Sequence, residues 1–283
     1  MYSLLMFLAL FILIFLGFPV AFSLISVAFA FGLITFGDAV IFQFISKIEG
    51  ISTNFILAAV PLFVFMGSML ERSGIAQQLF SAIHMWTRRL PGGLSIGTVI
   101  MCIIFAASTG VIGATETVVG LLAIPAMLKH NYSHSLISGT ICAGGSLGTI
   151  IPPSVVVVVL GPIADVSIGD LMVGMLIPGL ILALLYIIYI FLLCLVKPEN
   201  GPRINTDDEI SRLTLNQKLI ITVKALIPPL LMIFAVLGSI MLGWAAPTEA
   251  AALGAAGSIL LSIFYKKLNW QTFKEALIKT ITV

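Results

Sequence analysis

Residues 107–120 read "ASTGVIGATETVVG", with "GTVIMCIIFA" (97–106) before them and "LLAIPAML" (121–128) after. One Ser, three Thr, three Gly and the acid Glu116 share fourteen positions inside an apolar run. The surrounding chain explains why that is unusual. Its 283 residues are 60% hydrophobic and only 9% charged, with a mean hydropathy of +1.18. A soluble domain carries roughly 25% charged residues on its surface. This chain cannot build that surface, so it belongs in a bilayer. Apolar runs near the ~20 residues that cross hydrocarbon recur along it, which implies an all-α, multi-pass membrane protein. A net charge of +2 gives no sign of a nucleic-acid partner. Cys102, Cys142 and Cys194 sit singly in apolar segments and read as small buried hydrophobes.

Working outward from the opening stretch, residues 94–108 and 114–129 are two short apolar segments flanked by Arg88, Arg89 and Lys129. Each falls short of a full span, so the pair predicts a re-entrant hairpin whose tip is residues 107–120; two thin full spans are the alternative. Residues 135–160 follow, interrupted at "GGSLGTIIPPS" (144–154). The other expected segments are 2–17, 19–36, 54–70, 171–196, 219–242 and 248–265. Amphipathic pieces at 38–52, 75–90 and 268–282 are expected along the interface. The N-terminal stretch lacks a basic start and is too long for a signal peptide; "GFP" (17–19) reads as a hinge between two helices.

If the hairpin enters and leaves on one side, loops 71–93, 129–134, 197–218 and 266–282 share a side. Together with Lys224 they hold 13 of the 14 basic residues, which makes that side cytoplasmic. "LGFPVAFSLISVAFAFGLITF" (16–36) resembles "LGWAAPTEAAALGAAGSILLSIF" (242–264), and the topology inverts the two copies. Inverted repeats with broken helices are a transporter architecture. A second copy as long as the first would bring the complete protein to about 426 residues, so the second repeat reads as truncated.

Glycines and prolines break helices, and in lipid a broken helix survives only where it is buried or lines a cavity. The break at 144–154 and the tip at 107–120 therefore offer bared carbonyls for a hard cation such as sodium, and amides for an anion. Pro152 or Pro153 is expected in the first turn of the restarted helix. Ser108, Thr109, Thr115, Ser146, Thr149 and Ser154 are the hydroxyl candidates. Sodium candidates are Ser108, Thr109, Gly110, Gly113, Gly145 and Gly148; substrate candidates are Thr115, Thr149, Pro152, Pro153 and Ser154. Glu116 is open to three readings: sodium ligand, proton carrier, or helix cap three residues after Gly113, with the cap favoured. Glu249 in "APTEA" reads as a cap too, and Arg88 and Arg89 as cytoplasmic anchors. Gly139, Gly174, Gly254 and Gly257 read as helix-packing positions. An intramembrane hydrolase would need paired acids or a Ser–His pair at one depth, and only Glu116 lies deep in the first repeat, so the chain is not read as an enzyme. A non-transporting scaffold fragment stays open because the second repeat is short.

The stretches "PLFVFMGSMLERSGIA" (61–76), "TGVIGATETVVGLLAIPAML" (109–128), "AGGSLGTIIPPSVVVVVLGPIADVSIGDL" (143–171) and "GWAAPTEAAALGA" (243–255) resemble the large membrane subunit of tripartite ATP-independent periplasmic (TRAP) transporters, the DctM-type family. The resemblance covers essentially the whole chain. It implies an elevator-type, sodium-driven importer in the bacterial inner membrane with an ion-transporter-like fold. It also implies a periplasmic binding protein delivering a small carboxylate, and a small DctQ-type membrane subunit. The family's first sodium site maps onto Ser108–Gly113 and Gly145–Pro153. Under it, residues 1–93 are the first scaffold and arm helices, 94–170 half of the transport domain, 171–196 a span, 197–218 a cytoplasmic loop and 219–283 the start of the second repeat.

Overall fold

The computed structural model describes residues 2–110, 112–204 and 214–282. Val111 of the expected tip and residues 205–213 of the expected cytoplasmic loop lie outside them. Contacts divide the chain into two compact units, Met1–Asn54 and Phe55–Val283. Within the second unit the helices of residues 59–87 pack on the hairpin.

The first unit holds α1 (Tyr2–Phe15), α2 (Val20–Phe36) and α3 (Ala39–Ser52). The hinge is where "GFP" places it: Gly17 takes φ +90° and Pro19 stands at the N-cap of α2. Left-handed backbone is free to glycine alone, and proline suits a helix entrance. Gly32 of α2 lets Val40 of α3 approach, and the rings of Phe29 and Phe44 meet edge-on at 5.3 Å. Most other large side chains point outward, Phe15 at 86% exposure among them. A helix apolar on its outer face needs lipid around it.

The second unit begins with α4 (Ala59–Arg72), entered through a 3₁₀ turn at Phe55–Ala58. It continues with α5 (Ile75–Thr87), α6 (Gly93–Thr109), α7 (Ile112–Lys129), α8 (His134–Ile150), α9 (Val155–Ala164) and α10 (Ile168–Val196). After the polar loop come α11 (Leu215–Ile233), a π-helical stretch at Phe234–Gly238, α12 (Ser239–Met241), α13 (Pro247–Phe264) and α14 (Trp270–Thr282). Among the described residues no strand occurs. Four helical stretches among the described residues are long and apolar enough to cross a membrane: Phe55–Arg72, Ile168–Val196, Leu215–Met241 and Pro247–Phe264. The pair α8 and α9 qualifies as a fifth, bent by 44° at its break.

Packing centres on α4, against which α13 lies most extensively. Gly254 of α13 is the close-approach point, where a Cβ would collide with Met66 Sδ and sit 2.9 Å from Val236 Cγ2. Gly257 meets Met232 in the same way. Gly139 and Gly174, expected to do likewise, have open space beside them. The charged ends of α4 hold α14: Arg72 pairs with Glu275, and Lys279 Nζ reaches Glu71 Oε2 at 2.6 Å. Phe273 adds an edge-on contact to Phe65 at 5.8 Å.

The two bases of the α6–α7 pair meet at one pole. Gly92 N–H donates to the Gly201 carbonyl at 3.0 Å, and Ser133 N–H donates to the Asn200 carbonyl at 3.0 Å. Tyr132 is buried there and accepts from Leu94 N–H at 3.2 Å; burial lifts its pKa to about 12. Loops 88–93, 130–133 and 197–204 thus share one end, as the basic-loop topology expects.

Three expectations change. Arg88 is only 4% exposed and its carbonyl accepts from Ile204 N–H, so it is built into that pole rather than standing free as an anchor. The apolar stripe of α5 (Ile75, Ala76, Leu79, Ala82, Ile83) is buried by protein, where lipid was expected to cover it. Finally, α6 and α7 run 17 and 18 residues. That is about 26–27 Å, close to a ~30 Å core, so their length no longer distinguishes a re-entrant pair from two thin spans.

Candidate functional site

The site forms where the α6 tip meets the break between α8 and α9. α6 ends because Gly110 adopts φ +65°, the left-handed C-cap that glycine takes without strain, and its N–H closes onto the Ala106 carbonyl at 2.9 Å. α8 ends because two prolines follow, and a residue before proline is pushed out of the helical region. Ile151 (φ −86°, ψ 119°) is accordingly extended, and Ser154 (φ −122°, ψ 127°) is extended as the N-cap of the next helix. Helix resumes only at Val155, so Pro152 and Pro153 lie in the extended break and not in the first turn as expected.

The two elements touch through backbone. Val155 N–H, the first orphan amide of α9, donates to the Gly110 carbonyl at 3.4 Å. A Cβ on Gly110 would fall 2.5 Å from the Pro153 carbonyl oxygen and 3.5 Å from Ser154 Cα. From the other side, a Cβ on Gly67 of α4 would sit 3.0 Å from the Thr109 carbonyl oxygen. Thr109–Gly110 is therefore clasped between α4 and the break, with no room for a side chain at either glycine. Neither Gly67 nor its neighbour Ser68 was picked out as a site residue in the sequence. The signal was present in "MGSM" (66–69), two small residues among bulky ones.

The hydroxyls are oriented by their own helices. Ser108 Oγ donates to the Ile104 carbonyl at 2.8 Å and Thr109 Oγ1 to the Phe105 carbonyl at 3.1 Å. Thr109 Oγ1 also lies 3.1 Å from Thr115 Oγ1, with both residues fully buried. With its proton donated to a carbonyl, a hydroxyl presents lone pairs outward. Ser154 Oγ differs: the residue is 0% exposed, and the oxygen has no hydrogen-bond partner and does not cap its helix. Ser68 Oγ, in a residue 2% exposed, is likewise unpartnered. These are hard oxygen donors, the type a sodium ion takes.

The other candidates lie further along the same helices. Ser146 and Thr149 are half-buried on α8 and bond back to the carbonyls of Ala143 and Ser146 at 2.8 and 3.0 Å. Gly148 is buried in α8, whereas Gly113 has nothing within 4 Å of a would-be Cβ. Gly145 has a clear steric duty, because the Glu116 side chain occupies the space a Cβ would need. Gly144 gives Cys102 of α6 the same access, with Sγ 2.6 Å from the would-be Cβ. Glu116 is thus not a helix cap. α7 begins at Ile112, which places Glu116 in its second turn with its side chain laid on α8. A cap must sit within reach of the first amides, and the helix starts too early for that.

Comparison with known proteins agrees with the residue pattern. The family model for the DctM component of the tripartite ATP-independent periplasmic transporter matches residues 7–283. The chain is 32% identical over 235 residues to the C4-dicarboxylate TRAP transporter large permease protein DctM of Pseudomonas aeruginosa, covering 83% of this chain and 53% of that one. It is 30% identical over 270 residues to the sialic acid TRAP transporter large permease protein SiaM of Vibrio cholerae, covering 95% and 61%. It is 29% identical over 227 residues to the isethionate TRAP transporter permease protein DctMQ of Oleidesulfovibrio alaskensis, covering 80% and 34%. The chain spans about half the length of the curated relatives it matches. The family is one of transporter permeases, not enzymes. A match from residue 7 to the last residue, over a clasped tip and a broken helix, places this multi-pass membrane protein in the DctM family of TRAP transporter components.

Proposed function

We propose that the chain is the large permease subunit of a sodium-coupled importer of small carboxylates in the bacterial inner membrane. The observation that carries this is the α6 tip docked on the α8–α9 break, with Ser154 Oγ buried and unpartnered beside it. Sodium is bound by Thr109, Gly110 and Ser154, with Ser108, Gly113, Gly145 and Gly148 shaping the surrounding backbone. The carboxylate sits next to it, near Thr115, Thr149, Pro152 and Pro153, where the ion and the amide end of α9 offset its charge. Glu116 is close enough along α7 to tune the ion site through charge. The α6–α7 pair is re-entrant, entering and leaving at the pole where both of its bases are hydrogen-bonded. Two Gly-then-Pro entrances, Gly17/Pro19 before α2 and Gly243/Pro247 before α13, support the repeat reading. The copies are inverted, and the hairpin half moves against the scaffold as an elevator.

A periplasmic binding protein delivers the carboxylate and a small membrane subunit completes the permease. Relatives named for C4-dicarboxylate, sialic acid and isethionate support an anionic substrate. Membrane vesicles holding this subunit, its small partner and the loaded binding protein are expected to accumulate labelled carboxylate under an inward sodium gradient only. Equal uptake with potassium replacing sodium overturns the coupling, and none under any gradient overturns the transporter reading.

A further inference from the structure

Between α5 and α11 lies a pocket of about 380 Å³ lined by Gln77, Gln78, Ser81, Ile221, Lys224 and Ala225. Four of these are polar, the cation Lys224 among them, and the other two are apolar. Among the described residues the only ion pairs are Arg72–Glu275 and Lys279–Glu71, so the Lys224 ammonium has no carboxylate partner. No acid lines the pocket.

Its depth follows from helix length. The continuous stretch Leu215–Met241 has 27 residues, about 40 Å against a hydrocarbon core of about 30 Å. Lys224 comes nine residues after Leu215, about 14 Å along the axis. Centred in the bilayer, its backbone would lie within ~10 Å of the hydrocarbon edge, a distance a lysine covers by extending toward the headgroups. Trp86 marks the same level: its Nε1–H donates to Thr222 Oγ1 at 2.8 Å while the ring stays half exposed, the habit of an interfacial tryptophan. The ammonium and the exposed amides of Gln77 and Gln78 then form a donor cluster at headgroup depth. Exposed Ile227, Leu230 and Leu231, further into the bilayer along α11, supply an apolar wall below it.

We propose that this pocket holds the phosphate of an anionic phospholipid from the leaflet on the basic-loop side. Lys224 pairs with the phosphodiester, Gln77 and Gln78 donate to the headgroup, and the acyl chains run along α11. Apolar surface beneath the cation favours a lipid over a free anion. The inference rests on the topology reading alone and uses neither the ion site nor transport, so a failed uptake experiment leaves it standing.

The test is lipid retention by the purified chain in neutral detergent, read by native mass spectrometry with phosphatidylglycerol, phosphatidylcholine or inorganic phosphate added. Phosphatidylglycerol is expected to be retained about fivefold over phosphatidylcholine, the worth of one lysine at a charged surface. Lys224→Gln should erase that preference, while Lys224→Arg and the distant Lys129→Gln keep it. If Lys224→Gln does not fold, the double change Gln77→Leu, Gln78→Leu reads the same donor cluster. Equal retention of the two lipids overturns the proposal, as does an unchanged preference in Lys224→Gln, or complete displacement by inorganic phosphate at the lipid's own concentration.

Discussion

The helices α13 and α9 each start beside a proline, and they finish their first turns in opposite ways. α13 completes itself. Pro247 occupies its first position and Glu249 Oε2 accepts the Ala246 N–H at 2.9 Å, so the cap comes from three residues along the same helix. α9 is completed by a neighbour: its first amide goes to the Gly110 carbonyl, and its own N-cap hydroxyl, Ser154 Oγ, is buried without a partner. At the self-capped start the polar side chain is already engaged. A start capped in trans depends on the docked tip and carries a spare oxygen whose burial costs about 1–3 kcal/mol. Such a cost points to a use, and sodium binding is the use proposed above.

The comparison breaks most sharply at Gly110. Gly110→Ala must adopt φ +65° with its Cβ 2.5 Å from the Pro153 oxygen. A loss of about 3 kcal/mol or more is expected, read as a fall in the thermal unfolding midpoint in detergent. Glu249→Ala removes the self-made cap of α13 and is expected to cost about 1 kcal/mol by the same measurement. It should leave sodium-dependent stabilisation untouched. Thr115→Val removes the 3.1 Å contact to Thr109 Oγ1, a loss of about 1 kcal/mol. It should also weaken the sodium-induced rise in midpoint.

Ser154→Ala sharpens the contrast, because its effect on folding has the opposite sign. Because the buried hydroxyl makes no hydrogen bond, its removal should raise the unfolding midpoint in potassium, by about 1 kcal/mol or more. The parent should be stabilised when sodium replaces potassium, by about 1.4 kcal/mol at tenfold the dissociation constant. Ser154→Ala should not. A parent without any sodium response, or a Ser154→Ala chain that keeps it, removes Ser154 from the ion site.

The helices themselves were legible because each is written by neighbouring residues. Apolar runs, the Gly17–Pro19 hinge, the "IIPPS" break and the Glu249 cap all follow from residues within a few positions of one another. Glu116 misled for the same reason. Three residues past a glycine it has a cap's spacing, but α7 starts early and the side chain is received by Gly145, some thirty positions away. Arg88 had an anchor's flanking position and is instead enclosed at the pole by the approach of Ile204. The apolar stripe of α5 had the period of an interfacial helix, and a stripe does not say whether lipid or protein covers it.

By itself, the sequence settled that this is a multi-pass helical membrane protein, where its helices stop, and which two segments carry polar groups into the apolar region. Those are consequences of composition and of local backbone chemistry. Only the tertiary structure decided that the carbonyl of Gly110 caps α9, that Gly67 is the third wall, and that Ser154, alone among the hydroxyl candidates, is both buried and unpartnered. Whether a buried hydroxyl finds a partner depends on which helix docks against it, and that contact joins residues more than forty positions apart.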